Sequence, residues 1–557
     1  MNQTLQSLDY LIFFIYFVMV SGYGYWIYNR KKKAEASASD FFLAEGSLTW
    51  WAIGASLIAS NISAEQFIGM SGSGFKMGLA IATYEWMAAA TLVIVAVFFI
   101  PVYLKNKIFT MPQFLRHRYN DTVATIMAVF WLLLYVIVNL TSILYLGAIA
   151  VSGISGLSIG FCMAGLALFA IVITLGGMKV IGYTDVIQVL VLVIGGLVTT
   201  YLALDLVAKE YGGAGALAGF KSTLQYADDH YHMIFQQGSP HYADLPGLSI
   251  LIGGMWIVNL NYWGCNQYIT QRALGADLKT ARSGILFAAF LKLLMPVIVV
   301  LPGIAAYVLH QKGLYQQEML QDGEVNPDRA YPVLLQLLPI GLKGLAFAAL
   351  TAAIVASLAG KANSISTIFS LDIYKKKINP NADEATLVRV GRYAVWVALA
   401  VAVLIAPFMG IDKKGGFQFI QEYTGFVSPG VFATFILGFF WRKTTSNAAL
   451  FAIIGGFALS VMFKFLPGVM DLSFLAPVGY ATQTAQGIYE IPFIDRMGIV
   501  FLICVIGMYI ISMVELKGRD NPKGLEVDRS MFKPSPGFSI GALIIFGILT
   551  ALYTIFW

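Results

Sequence analysis

Charged and amide side chains lie inside strongly apolar segments of this sequence. Lys361 follows the run VASLAG, and Glu85 and Lys292 lie in other apolar segments. A charge at the centre of a lipid bilayer costs about 2.5–3.5 kcal/mol even on the milder insertion scales, so such residues are expected to bind a ligand, an ion or one another. The full set of polar residues at such positions is Asn61, Glu65, Gln66, Glu85, Asp185, Asn259, Tyr262, Trp263, Asn266, Lys292, Lys361, Asn363, Gln421 and Glu422.

Donors and acceptors of this kind suit a neutral polyhydroxyl ligand. Each hydroxyl both donates and accepts a hydrogen bond, and an aromatic ring can cover the apolar face of the ligand, so a sugar is the favoured class. A single Asn or Gln could instead bond two helices together, and Tyr262 and Trp263 could be ordinary interface aromatics. Glu85 and Lys292 are harder to explain as structure alone, because a structural ion pair must offset heavy desolvation.

Composition identifies an integral membrane protein. The chain has 557 residues, of which 58% are hydrophobic and 12% charged, and its mean hydropathy is +0.74; a soluble domain could not hide so much apolar surface. The net charge of +6 is therefore interpreted as membrane topology, not as affinity for nucleic acid. The cysteines Cys162, Cys265 and Cys504 are widely spaced and suggest neither disulfides nor a metal site. No phosphate-binding loop or nucleophile motif indicates an enzyme.

Hydropathy divides the chain into fourteen predicted transmembrane helices, each long enough to cross about 30 Å of hydrocarbon. In alternate connections we count about 24 of the 36 Lys and Arg residues, against about 7 in the others, and this asymmetry places both termini outside a plasma (inner) membrane. The predicted helices are 8–28, 48–72, 79–103, 122–151, 156–176, 182–206, 247–268, 283–309, 344–373, 390–410, 417–440, 447–465, 493–514 and 537–556.

Polar residues interrupt two of these predicted helices at mid-depth. The sequences are SLIASNISAEQFIGMSGSG (56–74) and MWIVNLNYWGCNQYI (255–269). Backbone that leaves the helix inside a membrane must line protein or a water-filled cavity, and paired interruptions indicate the central site of a transporter. An offset of five helices predicts an inverted repeat, with one copy at 48–206 and the other at 247–440. Segments 1–47 and 441–557 are then peripheral parts of a single transport domain, 1–557.

Several long motifs resemble the sodium/solute symporter family, in particular its bacterial sodium/galactose (sodium/glucose-type) branch. The motifs are GASLIASNISAEQFIGMSGSGF (54–75), ATYEWM (82–87), GYTDVIQV (182–189), NYWGCNQYITQR (261–272), FAAFLK (287–292) and FQFIQEYTGFVSPG (417–430). The resemblance implies a fourteen-helix protein with an inverted repeat of five helices that moves a sugar, such as galactose or glucose, by alternating access.

The family's functional residues map onto positions of this sequence. The implied sugar contacts are Gln66, Glu85, Asn259, Lys292 and Gln421, with Tyr262 stacking on the sugar; the implied outer gate is Met70, Tyr84 and Phe417, to which we add Trp263. Two family positions differ, because a serine is replaced by Ala88 and a tyrosine by Asn261.

The family's main sodium site is implied at Ala59, Ile62, Ala353 and Ser357, but Ala356 replaces one of its hydroxyl ligands. Lys361 follows Ser357 by one helical turn, so its ammonium is directed back toward this site. One hypothesis is that the ammonium substitutes for a bound sodium ion, paired with Asp185, with coupling then to protons or absent. The alternative is that Lys361 extends to the inner water or forms a structural pair with Asp185 while sodium still binds.

These observations predict sodium-coupled sugar import through a multi-pass protein in the lipid bilayer. The alternatives are a sodium-independent or proton-coupled carrier in which Lys361 replaces the cation, and a membrane sugar sensor without net transport. No nucleic-acid partner and no enzymatic activity are expected.

Overall fold

The structure, a computed structural model, describes residues 5–30, 48–108, 110–174, 177–321, 323–408, 416–484 and 487–557; the side chains of 27–30 and 177–183 are excluded. Residues 1–4 and 31–47 of the predicted peripheral segment 1–47 therefore lie outside the described residues, including the basic run after Arg30.

Helices dominate the described part of the chain. In its first half they are Ser7–Arg30, Trp50–Asn61, Glu65–Met70, Ser71–Met77, Thr83–Ile94, Val95–Phe99, Ile100–Lys105, Met111–Arg118, Asp121–Leu133, Leu134–Leu140, Thr141–Ser155, Ile159–Thr174, Gly177–Glu210, Ala216–Tyr226 and Ser249–Ile252. In its second half they are Gly254–Cys265, Gln267–Leu274, Leu278–Gln311, Ala330–Leu335, Leu342–Thr367, Ile368–Ile378, Glu384–Ile405, Gly416–Gly425, Ser428–Phe440, Ser446–Leu450, Phe451–Gly455, Gly456–Phe465, Phe493–Leu516 and Pro536–Ile555.

Short elements connect the helices. Two-residue strands pair antiparallel as Leu320–Gln321 with Glu324–Val325, and as Thr482–Gln483 with Tyr489–Glu490. The 3₁₀ turns are Gly78–Ala82, Asp228–Tyr231, Pro327–Arg329, Ala406–Phe408, Leu466–Gly468, Ser473–Val478 and Arg529–Phe532.

Among the described residues, 10 helices are long and apolar enough to cross a membrane, or 11 if Gly416–Gly425 and Ser428–Phe440, which meet at 51°, form one span. Three of the fourteen predicted helices, 48–72, 156–176 and 247–268, fall outside this count. Their longest apolar helices are Trp50–Asn61 with 12 residues, Ile159–Thr174 with 16 and Gly254–Cys265 with 12. Each is shorter than the roughly 20 residues that a straight span requires.

Both predicted interruptions are present as breaks in the helices. The first lies between Trp50–Asn61 and Glu65–Met70, where Ile62 is extended. The backbone N–H of Ser63 donates to Gln66 Oε1 at 3.0 Å, so a Ser-x-x-Gln capping box begins the second half-helix. The second break is at Asn266, extended between Gly254–Cys265 and Gln267–Leu274. At these two breaks, inside the membrane, the helix ends leave backbone N–H and C=O groups without intrahelical partners.

Candidate functional site

The two breaks and their neighbours enclose one polar cavity in the interior. It is lined by all the predicted sugar contacts, Gln66, Glu85, Asn259, Tyr262, Lys292 and Gln421, together with Asn61, Glu65, Asn139, Asn266, Tyr268 and Lys361. The cavity measures about 50 Å³, which accommodates a few waters at about 10–15 Å³ each. A sugar would need the walls to separate.

Lys292 forms the centre of the charged cluster in this cavity. Its ammonium donates to Glu85 Oε2 at 2.5 Å and also bonds the side-chain oxygen of Asn61. The Trp263 ring lies 5.2 Å from the Lys292 nitrogen. Lys292 is 1% exposed and Glu85 3%, so each charge is balanced by the other in a dry environment.

A second chain of hydrogen bonds begins at Asn61. Its side-chain nitrogen donates to the Tyr262 hydroxyl at 2.9 Å, and the Tyr268 hydroxyl also bonds Tyr262. Tyr135 donates to Asn266 at the second break. The hydroxyl of Tyr262 is therefore held from both broken helices, while its ring contacts Trp263 edge to face at 5.1 Å.

The remaining predicted sugar contacts make local bonds in this state. Gln66 Oε1 caps the half-helix as described, and the Asn259 side chain donates to the Met255 carbonyl at 3.1 Å. Gln421 lies on the cavity wall and is partly exposed. These polar groups line the cavity but hydrogen-bond to other protein groups. A bound ligand would therefore have to replace those hydrogen bonds with its own.

Aromatic contacts close one side of the cavity. Tyr84 and Phe417 pack edge to face with ring centroids 5.0 Å apart, and Met70 is fully buried. A Cβ on Gly69 would lie 2.8 Å from the Phe417 nitrogen, so the two helices meet closely. Trp263, the fourth residue predicted for the gate, lines the cavity together with Tyr84 and Phe417 and contacts Lys292.

A much larger cavity, about 1140 Å³, opens beyond this closure. It is lined by residues that include Lys76, Met77, His230 and Trp557, and it shares no lining residue with the central cavity. Gln418, next to Phe417, contacts the sulfur of Met77. We call this space the vestibule and the side it occupies the outer side. Its nearest described link to the central cavity is the contact of Gln418 with Met77, since the neighbouring Phe417 lines the central cavity.

The predicted sodium residues lie at the first break. The Ser357 hydroxyl donates to the Ser60 carbonyl at 3.3 Å, and Ala59, Ile62 and Ala353 are buried. The Lys361 ammonium is 3.5 Å from the same Ser357 oxygen. It is also 3.9 Å from Glu65 Oε1 and 5.1 Å from the centre of the Tyr268 ring.

The predicted pair between Lys361 and Asp185 is wrong. Asp185 accepts from the Ser56 hydroxyl at 2.6 Å and pairs with Arg272 at 3.5 Å, whereas Lys361 pairs with Glu65. Arg272 reaches Asp185 because the break at Asn266 turns the helix Gln267–Leu274 inward, where Arg272 Nε also donates to the Ser56 carbonyl at 3.0 Å.

Sequence reasoning missed Arg272, Tyr268 and Tyr135. The residues QYITQR after the second interruption place Tyr268 and Arg272 one helical turn apart, so a common face was readable. Tyr135 lies 131 positions from its partner Asn266, and no local pattern could connect them.

Comparison with known proteins identifies relatives over most of the chain. The model of the family described as "Sodium:solute symporter family" matches residues 41–456. A sodium/glucose cotransporter of Vibrio parahaemolyticus is 46% identical over 99% of both chains. The human sodium/myo-inositol cotransporter 2 is 34% identical over 82% of this chain and 69% of its own length. A Na⁺-coupled sialic acid symporter, solved in a substrate-bound outward-open state, is similar in fold, with a TM-score of 0.74 at 22% identity over 91% of this chain and 98% of that one.

Proposed function

Because the chain belongs to the sodium:solute symporter family, we propose that it imports a sugar such as galactose or glucose by sodium-coupled symport and alternating access. It is a multi-pass membrane transporter and not an enzyme. The family predicted from the sequence motifs is thereby confirmed.

The observation that carries the proposal is the enclosed polar cavity, with its buried charges, behind a closed aromatic gate. Lys292 bonds both Glu85 and Asn61 inside it. Sugar hydroxyls could take over these bonds one for one, since they both donate and accept. Tyr262 and Trp263 would cover the apolar face of the sugar ring, with Gln66, Asn259 and Gln421 as further contacts.

The proposed topology has fourteen transmembrane helices in a plasma membrane, with both termini outside. The two broken helices at corresponding positions of 48–206 and 247–440 support an inverted repeat of five helices. Segments 1–47 and 441–557 would surround this core within one transport domain.

For sodium, the proposed ligands are the carbonyls of Ala59, Ile62 and Ala353 and the hydroxyl of Ser357. Carbonyl and hydroxyl oxygens suit a hard cation, and the Ser357 hydroxyl lies at the break in the first helix. One sodium ion moving down a tenfold gradient releases about 1.4 kcal/mol, and 100 mV adds about 2.3 kcal/mol. Their sum, about 3.7 kcal/mol, could concentrate a sugar roughly 500-fold.

A second candidate is a carrier in which Lys361 replaces the sodium ion. The specific observation in its favour is the Lys361 ammonium, 3.5 Å from the Ser357 oxygen; Ala356 has also removed one hydroxyl. A fixed positive charge at that distance opposes a second cation. Coupling would then be absent or carried by a proton, with Glu65 as the partner of the ammonium.

Uptake into proteoliposomes separates these candidates. Labelled galactose, glucose and myo-inositol are offered with and without a sodium gradient and a proton gradient, for the parent, Lys361→Met and the exposed control Lys312→Met.

Sodium-coupled symport predicts accumulation that requires sodium in the parent and in Lys312→Met. If the parent accumulates sugar without sodium and Lys361→Met acquires a sodium requirement, the substitution candidate is correct. Sugar binding without counterflow of any sugar would contradict transport and support a sensor.

A further inference from the structure

A buried aspartate outside the membrane helices contacts the beginning of the gate helix. Asp328 lies in the turn Pro327–Arg329 and is 2% exposed. Its Oδ2 accepts the backbone N–H of Gly416 at 2.8 Å. Gly416 is the first residue of the helix Gly416–Gly425, and the next residue, Phe417, is half of the aromatic closure.

The same carboxyl group packs against the other gate helix. A Cβ on Gly72, in Ser71–Met77, would lie 2.4 Å from Asp328 Oδ1 and 2.9 Å from its nitrogen, so the turn can approach only because residue 72 is glycine. Asn326 accepts from the Asp328 N–H at 2.9 Å and fixes the turn. Asp328 thus lies where the helix that follows Met70 meets the helix that carries Phe417.

We propose that Asp328 is a proton-responsive latch that positions the outer gate, which closes more firmly when this carboxyl group is protonated and opens more readily when it is ionised. This inference rests on the gate included in the proposed function.

The direction follows from what each state does to the carboxyl group. In the closed state burial raises the pKa of Asp328 to about 7, opposed by the Gly416 N–H and by the charge of Lys76. Separating the two helices would admit water, in which an aspartate has a pKa near 3.9. Protons stabilise the state with the higher pKa. Acid therefore favours the closed gate, and a rise in pH through about 7 leaves a poorly solvated charge that favours opening.

Few other charges face this junction among the described residues. Lys76, 42% exposed and 3.9 Å from Asp244, is the cation on the helix that packs against Asp328. Arg329 donates to the Leu320 carbonyl. The other titratable groups on the packed elements are Tyr145, Tyr331, Tyr423, Glu65 against Lys361, and Glu422, which bonds Lys464 and Arg496. Lys76 should therefore influence the midpoint most.

Gate opening can be measured with a cysteine below the closure. Ala88 lines the central cavity; Ala88→Cys is made after replacing Cys162, Cys265 and Cys504 with serine. An impermeant thiol reagent is applied to intact cells and, separately, to inside-out vesicles at pH 6 and pH 8. Rates are divided by those of Gln236→Cys, an exposed vestibule position, which removes the pH dependence of thiol reactivity and identifies the vestibule face.

We expect the normalised labelling rate of Ala88→Cys to be about tenfold higher at pH 8 than at pH 6. With a closed-state pKa of about 7, the fraction of molecules with an open gate rises as Asp328 ionises. Asp328→Asn should label slowly at both pH values, as the protonated parent does. Lys76→Gln should move the midpoint to higher pH, because it removes a charge that stabilises the carboxylate. Glu324→Gln, which removes an exposed acid from the same loop, should match the parent.

A parent without pH dependence, or Asp328→Asn with the parent's pH dependence, would overturn the latch. If Asp328→Asn fails to reach the membrane, Lys76→Gln decides, and an unmoved midpoint counts against the proposal. Sugar uptake is measured in parallel. Sugar uptake together with pH-independent labelling would contradict the latch but support the transport function. Labelling that depends on pH, without sugar uptake, would contradict the transport function but support the latch.

Discussion

Lys292 and Glu85 stabilise each other at a depth where neither charge could remain alone. Their contact of 2.5 Å, with Asn61 and Trp263 beside the ammonium, is a nearly dry pair. Such a pair contributes little net stability compared with apolar residues of similar volume, although removing one partner is costly. Comparing the removal of one partner with the replacement of both therefore tests whether the pair is needed for ligand binding or for folding.

We therefore expect Lys292→Met to destabilise the protein by about 3–5 kcal/mol, because Glu85 would be left buried and unpaired. The double variant Glu85→Gln/Lys292→Met should recover most of that loss but should not bind sugar. Thermal unfolding of the purified protein and equilibrium binding of labelled sugar measure the two effects separately. Recovery of binding along with stability in the double variant would mean that the pair serves folding alone.

At this scale the sequence predicted which residues are buried and polar better than it predicted their partners. Every sugar contact implied by the family resemblance lines one cavity, whereas hydropathy alone indicated only that these polar residues lie within apolar segments. The partner of Lys361 was predicted wrongly as Asp185. Helical spacing fixes the face of a residue on its own helix, but not which of two carboxylates, Glu65 or Asp185, a distant segment leaves available.

The broken helices supply both the site and its supports. Gln66 is a predicted sugar contact, yet its side-chain oxygen caps the half-helix through the Ser63 N–H at 3.0 Å and the Ser63 hydroxyl at 3.3 Å. A glutamine has a carbonyl oxygen and an amide NH₂ group. The oxygen can therefore hold the helix while the NH₂ group serves the ligand.

Two substitutions at Gln66 separate these roles. Gln66→Glu keeps an acceptor for the cap and should fold normally while weakening sugar binding, since the amide donor is lost. Gln66→Leu removes both and should also lower stability by about 1 kcal/mol, a typical cost of a lost cap. Melting temperature and sugar affinity are compared for both variants and the parent. Equal losses of stability in the two variants would contradict the capping role.

The positions of the long helices and of the two breaks were largely predictable from the sequence. Hydropathy located the long helices, and the polar runs located both interruptions. Of the fourteen predicted helices, 48–72 and 247–268 contain the predicted breaks and Ile159–Thr174 is short, so these three do not pass as straight spans among the described residues. The break at Asn266 consists of a single extended residue; the polar run 255–269 predicted an interruption there, but hydropathy could not identify the residue at which the helix breaks.

The whole molecule is in a closed state, because the central cavity of about 50 Å³ is too small for a sugar and shares no lining residue with the vestibule. The Tyr84 and Phe417 rings, which both line the central cavity, contact each other at its wall. The sequence carries no information about which state is most populated, because conformations of a transporter differ by only a few kcal/mol. The closed state follows from summed packing across helices far apart in sequence.

The aromatic gate provides the last prediction. Edge-to-face pairs contribute about 0.5–1.5 kcal/mol beyond the area that they bury, so Phe417→Ala should shift the gate toward the open state by roughly 2- to 10-fold. We expect faster labelling of Ala88→Cys and a lower steady-state accumulation of sugar, with initial uptake less affected.

Tyr84→Phe is the matched control. The buried Tyr84 hydroxyl has no hydrogen-bond partner among the described residues, so its removal keeps the ring contact and should leave both measurements unchanged. Accumulation in Phe417→Ala equal to that of Tyr84→Phe would show that the rings do not hold the gate and that the closure depends on the helix contact at Gly69.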